Sequence, residues 1–134
     1  MTPPENQGQG TAEAPAGFPA VSLCVLAKRS DFLKVASARR QGTDSFLLQA
    51  RNRADGDPAF RVGFTASKKI GNAVLRNRAK RRLRALAREI LAPQALRGWD
   101  YVLVARPQAT VSQPYANLRA DLDRALRSVH RTGT

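Results

Sequence analysis

Alternating apolar and polar residues predict two β-strands in the middle of the chain. In SFLLQAR, residues 45–51, the apolar face consists of Phe46, Leu48 and Ala50, while Leu47, Gln49 and Arg51 face the other way. In FRVGFTAS, residues 60–67, alternate residues from Phe60 to Ala66 are apolar, and Gly63 on the opposite face allows close approach to the backbone. The intervening NRADGDPA contains Asp-Gly and Asp-Pro, which predict a turn or hairpin loop.

A third strand and three helices follow from other apolar patterns. WDYVLVAR, residues 99–106, is almost continuously apolar, which is typical of a buried central strand. A first helix is predicted within residues 27–42, with Ser30 or Asp31 as its N-cap and Gly42 as its stop. A long second helix is predicted from Gly71 or Asn72 to about Leu91, before Pro93. A third helix within residues 112–133 has an apolar stripe formed by Leu118, Leu122, Ala125, Leu126 and Val129.

This order of elements predicts helices packed on one small sheet, an α+β fold. The 134 residues fit one domain, which we place at residues 18–131. Residues 1–17 are rich in proline, glycine and polar residues and predict a disordered N-terminal tail. Cys24, the single cysteine, is expected to be a small buried apolar residue. One cysteine cannot form an intrachain disulfide, which fits a reducing cytoplasm.

The positive charge of the chain indicates the kind of partner that the protein binds. Lysine and arginine number 23 against 10 acids, for a net charge of +13, which favours a polyanionic partner. No acid occurs between Asp57 and Glu89. The second helix has cations on most of its faces beside a narrow apolar stripe formed by Leu75, Ala79, Leu83, Leu86 and Ile90. Repulsion between these cations costs roughly 1–2 kcal/mol in total. A bound nucleic acid offsets that cost, whereas an ordinary solvated helix mixes both signs of charge. A membrane partner is not expected, because the apolar stripe is narrow and is needed for the core.

The remaining polar residues do not form a catalytic or metal-binding pattern. His130 is isolated near the C-terminus and is expected to be solvated. There is no Cys/His cluster for zinc and no Ser/His/Asp set for a nucleophile. Asp55 and Asp57 are expected in a polar loop, and Asp121 and Asp123 do not share a helix face. We therefore expect no catalytic residue and no metal site in the protein.

The run RVGFTASKKIGNAVLRNRAKRRLR closely resembles the hallmark segment of the bacterial ribonuclease P protein component. The family pattern is met by Arg61, Gly63, Ser67, Lys68, Lys69, Gly71, Ala73, Val74, Arg76, Asn77, Arg78, Lys80, Arg81 and Arg84. The resemblance extends from about Leu26 to Val129. It implies a small α/β sandwich of αβββαβα order, with a four-stranded sheet and a left-handed βαβ crossover, an unusual handedness. The chain then needs a fourth, short strand, which its apolar pattern does not place.

The resemblance also implies a function and a set of binding residues. The protein is expected to be the RNA-binding subunit of ribonuclease P, which removes the 5′ leader from precursor tRNA, as a cytoplasmic monomer in a 1:1 complex with the catalytic RNA. That RNA carries the chemistry with Mg²⁺, and the protein alone binds no cofactor. The residues expected to contact the catalytic RNA are Lys68, Lys69, Asn72, Arg76, Asn77, Arg78, Lys80, Arg81 and Arg84. The residues expected to line the leader cleft are Phe32, Gln49, Arg61, Thr65 and Ser67.

The chain departs from the family at two cleft positions. Ala36 and Gln49 stand where relatives often carry aromatic residues. One stacked base is worth about 1–3 kcal/mol, so contact with the leader is weakened unless Gln49 hydrogen-bonds instead. Two other functions are compatible with the charge alone. A general or ribosomal RNA-binding protein would coat many RNAs without promoting cleavage, and a stand-alone nuclease would need catalytic residues that the sequence does not offer.

Overall fold

The computed structural model describes residues 23–131, in which five strands form one mixed sheet. The predicted tail, residues 1–17, and the side chain of Cys24 lie outside this description. The strands are β1 (Leu23–Val25), β2 (Arg39–Gly42), β3 (Phe46–Asn52), β4 (Phe60–Thr65) and β5 (Trp99–Ala105). Their spatial order is β1-β4-β5-β3-β2. The pairs β1–β4 and β4–β5 are parallel, and the pairs β5–β3 and β3–β2 are antiparallel.

Helices precede, connect and follow these strands. They are α1 (Arg29–Ala36), α2 (Ala73–Leu86), α3 (Ala92–Gln94), α4 (Ala109–Ser112) and α5 (Tyr115–His130). A short 3₁₀ turn, Lys68–Ile70, leads into α2, and a π-helical turn, Ala87–Leu91, joins α2 to α3. From α1 onward the main elements follow the predicted αβββαβα order. The fourth strand that the sequence did not place is β2, and β1 adds a three-residue strand at the opposite edge.

One face of the sheet carries the main core. Phe46, Leu48 and Ala50 of β3 and Phe60 and Val62 of β4 are fully buried there, as their alternation predicted. They pack with the buried stripes of α2 and α5, whose members include Leu83, Leu86, Leu118, Leu122 and Leu126. Six of the seven residues of β5 are buried, which confirms that it is the central strand.

The other face of the sheet carries α1 and a smaller apolar cluster. Val35 is fully buried with Leu26 and Val102, and Phe32 packs beside them. Phe32 lies directly on the backbone of β4, because a Cβ atom at Gly63 would be 2.6 Å from its ring. The expected close approach at Gly63 is confirmed, and the approaching group is the aromatic ring of α1.

The first helix is shorter than predicted. It begins at Arg29 after the N-cap Lys28 and ends at Ala36, so neither Ser30 nor Asp31 caps it and Gly42 does not stop it. Residues 39–42 instead pair with Leu47–Ala50 as strand β2. This RRQG segment has no apolar alternation, and it becomes a strand because β3 offers it backbone hydrogen-bond partners at the sheet edge.

Two further predictions about connections were wrong. The loop between β3 and β4 is not a hairpin, because β5 inserts between these strands and pairs with both. The second helical segment also does not stop before Pro93. Pro93 lies in α3, directly after the π-helical turn Ala87–Leu91, so the helical backbone continues past the predicted end.

Candidate nucleic-acid interface

Two side-chain caps fix the turn that connects β4 to α2. The Ser67 Oγ accepts a hydrogen bond from the Lys69 N–H at 3.3 Å, and the Asn72 Oδ1 accepts one from the Leu75 N–H at 3.0 Å. Asn72 is therefore the N-cap of α2, and its amide Nδ2 remains as a donor for a ligand. The same turn leaves the side chains of Lys68 and Lys69 exposed.

Helix α2 buries one stripe of side chains, and the rest of its surface is largely cationic. Ala79, Leu83 and Leu86 are fully buried against the sheet, whereas Leu75 at the start of the predicted stripe is 37% exposed. The exposed polar residues of the solvent side are Asn77, Arg78, Arg81 and Arg84, with Arg88 following in the π-helical turn. Arg76 and Lys80 are half-buried beside the stripe. Within residues 23–131, none of these cations forms an ion pair with an acid.

Two arginines of α2 have surroundings that the sequence did not indicate. Arg82 donates from Nη1 to the Thr110 carbonyl oxygen at 2.8 Å, and its guanidinium lies 5.9 Å from the ring centroid of Tyr115. Arg82 thus holds α2 against α4 and α5, which explains why it differs from its exposed neighbours. The Nε atom of Arg76 is buried and has no hydrogen-bond partner in the described chain. Such a donor costs about 1–3 kcal/mol when left unsatisfied.

The arginines of α5 contrast with those of α2 because each has an acidic partner. Arg119 lies 3.9 Å from Glu89, Arg124 contacts Asp121, and Arg127 contacts Asp123. The longest run of cations without an acidic partner in residues 23–131 therefore lies on α2 and on the turns that flank it.

Four of the five predicted cleft residues lie on the α1 side of the sheet. Gln49 of β3 and Thr65 and Arg61 of β4 are half-buried there, with Phe32 of α1 above Gly63. In the sheet, Gln49 lies between Arg40 of β2 and Val102 of β5. Ser67 lies beyond the end of β4, exposed, in the turn that leads to α2. The cleft residues thus adjoin the cationic helix through this turn.

Arg61 is held by two acids rather than left free. Its Nε and Nη2 atoms donate to the two carboxylate oxygens of Asp100 at 2.8 and 2.7 Å, and its Nη1 donates to Asp31 of α1 at 3.2 Å. Asp100 is completely buried and also accepts a 2.7 Å hydrogen bond from Arg53. The hydrogen bonds that Arg61 donates to the Asp100 carboxylate raise the pKa of Arg61. The sequence did not reveal this cluster, because its members are 30 to 47 positions apart.

His130 was predicted to be solvated, and this prediction was wrong. Its Nε2 lies 2.7 Å from the Tyr101 Oη, and its ring meets Trp99 edge-on at 5.3 Å between centroids. The Tyr101 Oη also accepts the Leu96 N–H at 2.9 Å, so one phenolic oxygen links His130 to the backbone of Leu96. Burial lowers the pKa of His130. The histidine therefore anchors the end of α5 to the core. The sequence could not indicate this role, because the partners of His130 are distant along the chain.

The described residues contain no group of three or more histidine, cysteine, aspartate or glutamate side chains that could hold a metal ion. Asp55 lies in the polar loop expected of it and pairs with Arg53 at 2.9 Å. In the same part of the chain, no helix has the length and apolar character needed to cross a membrane.

Comparison with known proteins agrees with this architecture. The sequence profile of the family described as Ribonuclease P matches residues 22–130. A protein of Ruegeria pomeroyi named ribonuclease P protein component is 58% identical over 119 residues, covering 84% of this chain and 95% of the relative. A protein of the same name from Caulobacter vibrioides is 49% identical over 104 residues, covering 78% of this chain and 69% of the relative.

Solved structures show the same fold. The RNase P protein of Staphylococcus aureus superposes with a TM-score of 0.64 at 26% identity, covering 78% of this chain and 94% of that one. The RNase P protein of Thermotoga maritima gives a TM-score of 0.64 at 24% identity, covering 76% and 94% of the two chains, and supports the fold alone. The chain therefore belongs to the family of bacterial ribonuclease P protein components.

Proposed function

We propose that this protein binds the catalytic RNA of ribonuclease P through α2 and holds the 5′ leader of precursor tRNA in the cleft between α1 and the sheet. As a member of its family, the chain is a subunit of an endoribonuclease holoenzyme. The observation that carries the proposal is the solvent side of α2, where adjacent cations lack acidic partners among the described residues. A polyanion in contact with that side removes the repulsion between them.

The α2 surface suits RNA phosphates in both charge and shape. The exposed guanidinium groups of Arg78, Arg81 and Arg84 can each bind two phosphate oxygens. Lys68 and Lys69 add point charges beside the start of the helix, and the free Nδ2 of Asn72 and the amide of Asn77 can reach a base edge or a 2′-hydroxyl. These contacts are both electrostatic and positional, so they hold the RNA without taking part in bond cleavage.

The cleft suits a single strand more than a duplex. Phe32 offers an aromatic surface for one unstacked base, and the half-buried Gln49 and Thr65 offer hydrogen-bonding groups to its edge or sugar. Ala36 removes one possible stacking surface, so we expect leader binding to depend strongly on Phe32. In this arrangement Arg61 positions α1 through Asp31, because its guanidinium is already engaged by acids.

The bond cleavage itself is assigned to the RNA partner. We assign Mg²⁺ to the catalytic RNA, as the resemblance to the family implies. When bound to the RNA, Mg²⁺ supplies an activated water and stabilises the phosphate charge of the transition state. The protein contributes affinity for precursor tRNA and reduces repulsion between RNA segments. We further propose that one protein monomer binds one catalytic RNA.

A reconstitution assay tests this function. The matching catalytic RNA is incubated with labelled precursor tRNA over a range of Mg²⁺ concentrations, with and without the protein. At low Mg²⁺ we expect efficient release of the 5′ leader only when the protein is present, and tighter binding of precursor than of mature tRNA. Unchanged Mg²⁺ dependence together with unchanged precursor affinity would contradict the proposal. Cleavage by protein without RNA would instead support a nuclease.

Co-purification separates the proposal from a general or ribosomal RNA-binding role. The tagged full-length protein should recover one dominant structured RNA, the catalytic RNA, in a 1:1 ratio by mass measurement. Recovery of ribosomal particles or of a broad mixture of RNAs would favour the general role.

A further inference from the structure

Val74 is an apolar side chain in the first turn of α2, on the side of the helix that carries exposed cations. It is 73% exposed, more than any other large hydrophobic residue in the part of the chain that the structure describes. At about 100° per residue, positions three, four and seven residues later lie on the same side of the helix. For Val74 these positions are Asn77, Arg78 and Arg81, all exposed. Val74 thus shares the surface assigned above to the catalytic RNA.

The core of the protein does not account for this side chain. The buried residues of α2 are Ala79, Leu83 and Leu86, on the opposite side of the helix. A β-branched residue also gives no gain in helix propensity over the lysine or arginine found at the neighbouring solvent positions. Exposed valines are common in general, so its position among cations is the informative feature.

Docking of RNA on this side removes Val74 from water together with its charged neighbours. The arginines can exchange water for phosphate oxygens, but a valine has no polar group to satisfy. The RNA group that covers it must therefore be apolar, which restricts it to the C–H surface of a ribose or the flat surface of an unpaired base. Charge complementarity around Val74 favours RNA over a protein partner, because the adjacent cations need an anion.

We propose that Val74 makes an apolar contact with a ribose or an unpaired base of the catalytic RNA and so helps α2 to distinguish that RNA from other polyanions. The inference rests on the proposed function. Cations bind the phosphates of any RNA, whereas a fixed apolar contact needs a sugar or base at one defined place. Val74 therefore contributes to discrimination, and the arginines contribute to general affinity.

The substitution Val74→Thr tests this contact, because it keeps the side-chain shape and replaces one methyl group by a hydroxyl. Affinity for the catalytic RNA should fall by about tenfold, as expected for the loss of one buried apolar contact. Affinity for poly(U) should stay the same. The slope of log affinity against log salt should also stay the same, because no phosphate contact is lost. Thermal unfolding should not change, since position 74 is exposed in the free protein.

Two further variants provide the controls. Val25→Thr makes the same change at an equally exposed valine, 70% exposed, on the edge strand β1, and should leave both affinities unchanged. Arg78→Gln removes one charge next to Val74 and should weaken binding to both RNAs and lower the salt slope by about one.

The possible outcomes distinguish a failure of the Val74 contact from a failure of the proposed function. If Val74→Thr binds the catalytic RNA like the wild type while Arg78→Gln weakens it, the apolar contact is refuted and the proposed function stands. If Val74→Thr weakens both RNAs equally, discrimination by Val74 is refuted. If the wild type shows no preference for the catalytic RNA over poly(U), the proposed function fails and the contact fails with it.

Discussion

At the scale of single residues, the buried carboxylate of Asp100 has the largest predicted effect. It is completely buried and accepts hydrogen bonds from both Arg53 and Arg61. Arg61 in turn reaches Asp31 on α1. One acid thus connects the loop after β3, the strand β4 and the helix that forms one wall of the cleft.

Substitution of Asp100 should therefore be strongly destabilising. In Asp100→Asn two arginines lose their buried counter-charge, and we expect the free energy of unfolding to fall by about 3–5 kcal/mol. Asp55→Asn is the matched control, because Asp55 also pairs with Arg53 but its side chain is 47% exposed. That change should cost less than about 1 kcal/mol. Urea denaturation measures both, and equal losses in the two variants would contradict this account.

His130 makes stability depend on pH between neutral and mildly acidic conditions. Burial lowers its pKa below the ordinary 6.5, so as the pH falls the unfolded chain takes up a proton before the folded chain does. Stability is therefore fully present above about pH 6.5 and decreases as the pH falls through the lower, folded value.

His130→Gln tests this dependence, because the chain has only one histidine. Wild-type protein should lose unfolding free energy between about pH 7.5 and pH 5, and the variant should lose clearly less over the same range. The measurement is urea denaturation at each pH. An identical decrease in both proteins would assign the pH dependence to other groups.

At the scale of elements, the individual strands were easier to predict from the sequence than the order in which they pair in the sheet. The alternation in β3 and β4 placed Phe46, Leu48, Phe60 and Val62 correctly on the core side, since the two-residue period is local. The order of strands is not local. The position of β5 between β3 and β4, the polar strand β2 and the partners of Arg61 all depend on residues brought together by folding. The resemblance of Ser67–Arg84 to a known motif supplied the functional assignment that local patterns could not.

Neighbouring arginines of α2 should have different effects when changed. Arg82 contacts Thr110 and Tyr115, whereas Arg81 is exposed. Arg82→Gln should lower the free energy of unfolding by about 1–2 kcal/mol, because a charged hydrogen bond and a ring contact are lost. Arg81→Gln should leave stability unchanged and reduce the salt slope of RNA binding by about one. If both variants unfolded like the wild type, the Arg82 contacts would not stabilise the domain.

The contact between α1 and the sheet should be sensitive at Gly63. In Gly63→Ala the new methyl group would lie 2.6 Å from the ring of Phe32 and 3.0 Å from the Cβ of Leu26. Overpacking of this kind costs about 1–3 kcal/mol, and displacement of the ring should reduce the preference for precursor over mature tRNA. The double variant Gly63→Ala with Phe32→Leu should recover part of the stability but not the preference. Additive stability losses would show that the ring is not the obstacle.

At the scale of the whole molecule, the location of charge matters more than its sum. The net charge is +13, yet the arginines of α5 pair with acids while the cations of α2 have no acidic partner in the described chain. The positive potential should therefore be stronger beside α2 than beside α5.

Two triple variants with the same change in net charge test this asymmetry. Arg76→Gln, Lys80→Gln and Arg84→Gln together should lower the salt slope of binding to the catalytic RNA by about three. Arg119→Gln, Arg124→Gln and Arg127→Gln remove three charges from α5 and should change the slope by less than about one. Fluorescence titration at several salt concentrations gives both slopes. Equal reductions would mean that net charge alone determines binding.

The central position of β5 also affects when the molecule can become functional during synthesis. The pair β2–β3 and the pair β1–β4 are joined in the sheet only through β5, which spans Trp99–Ala105 of a 134-residue chain. The ribosome therefore makes the whole cationic helix before the strand that unites the sheet. A nascent chain that ends before Trp99 carries the charge for RNA but has neither a complete sheet nor the cleft wall that packs on β5. The selective binding of precursor tRNA that we propose should thus begin only after about three quarters of the chain has been translated.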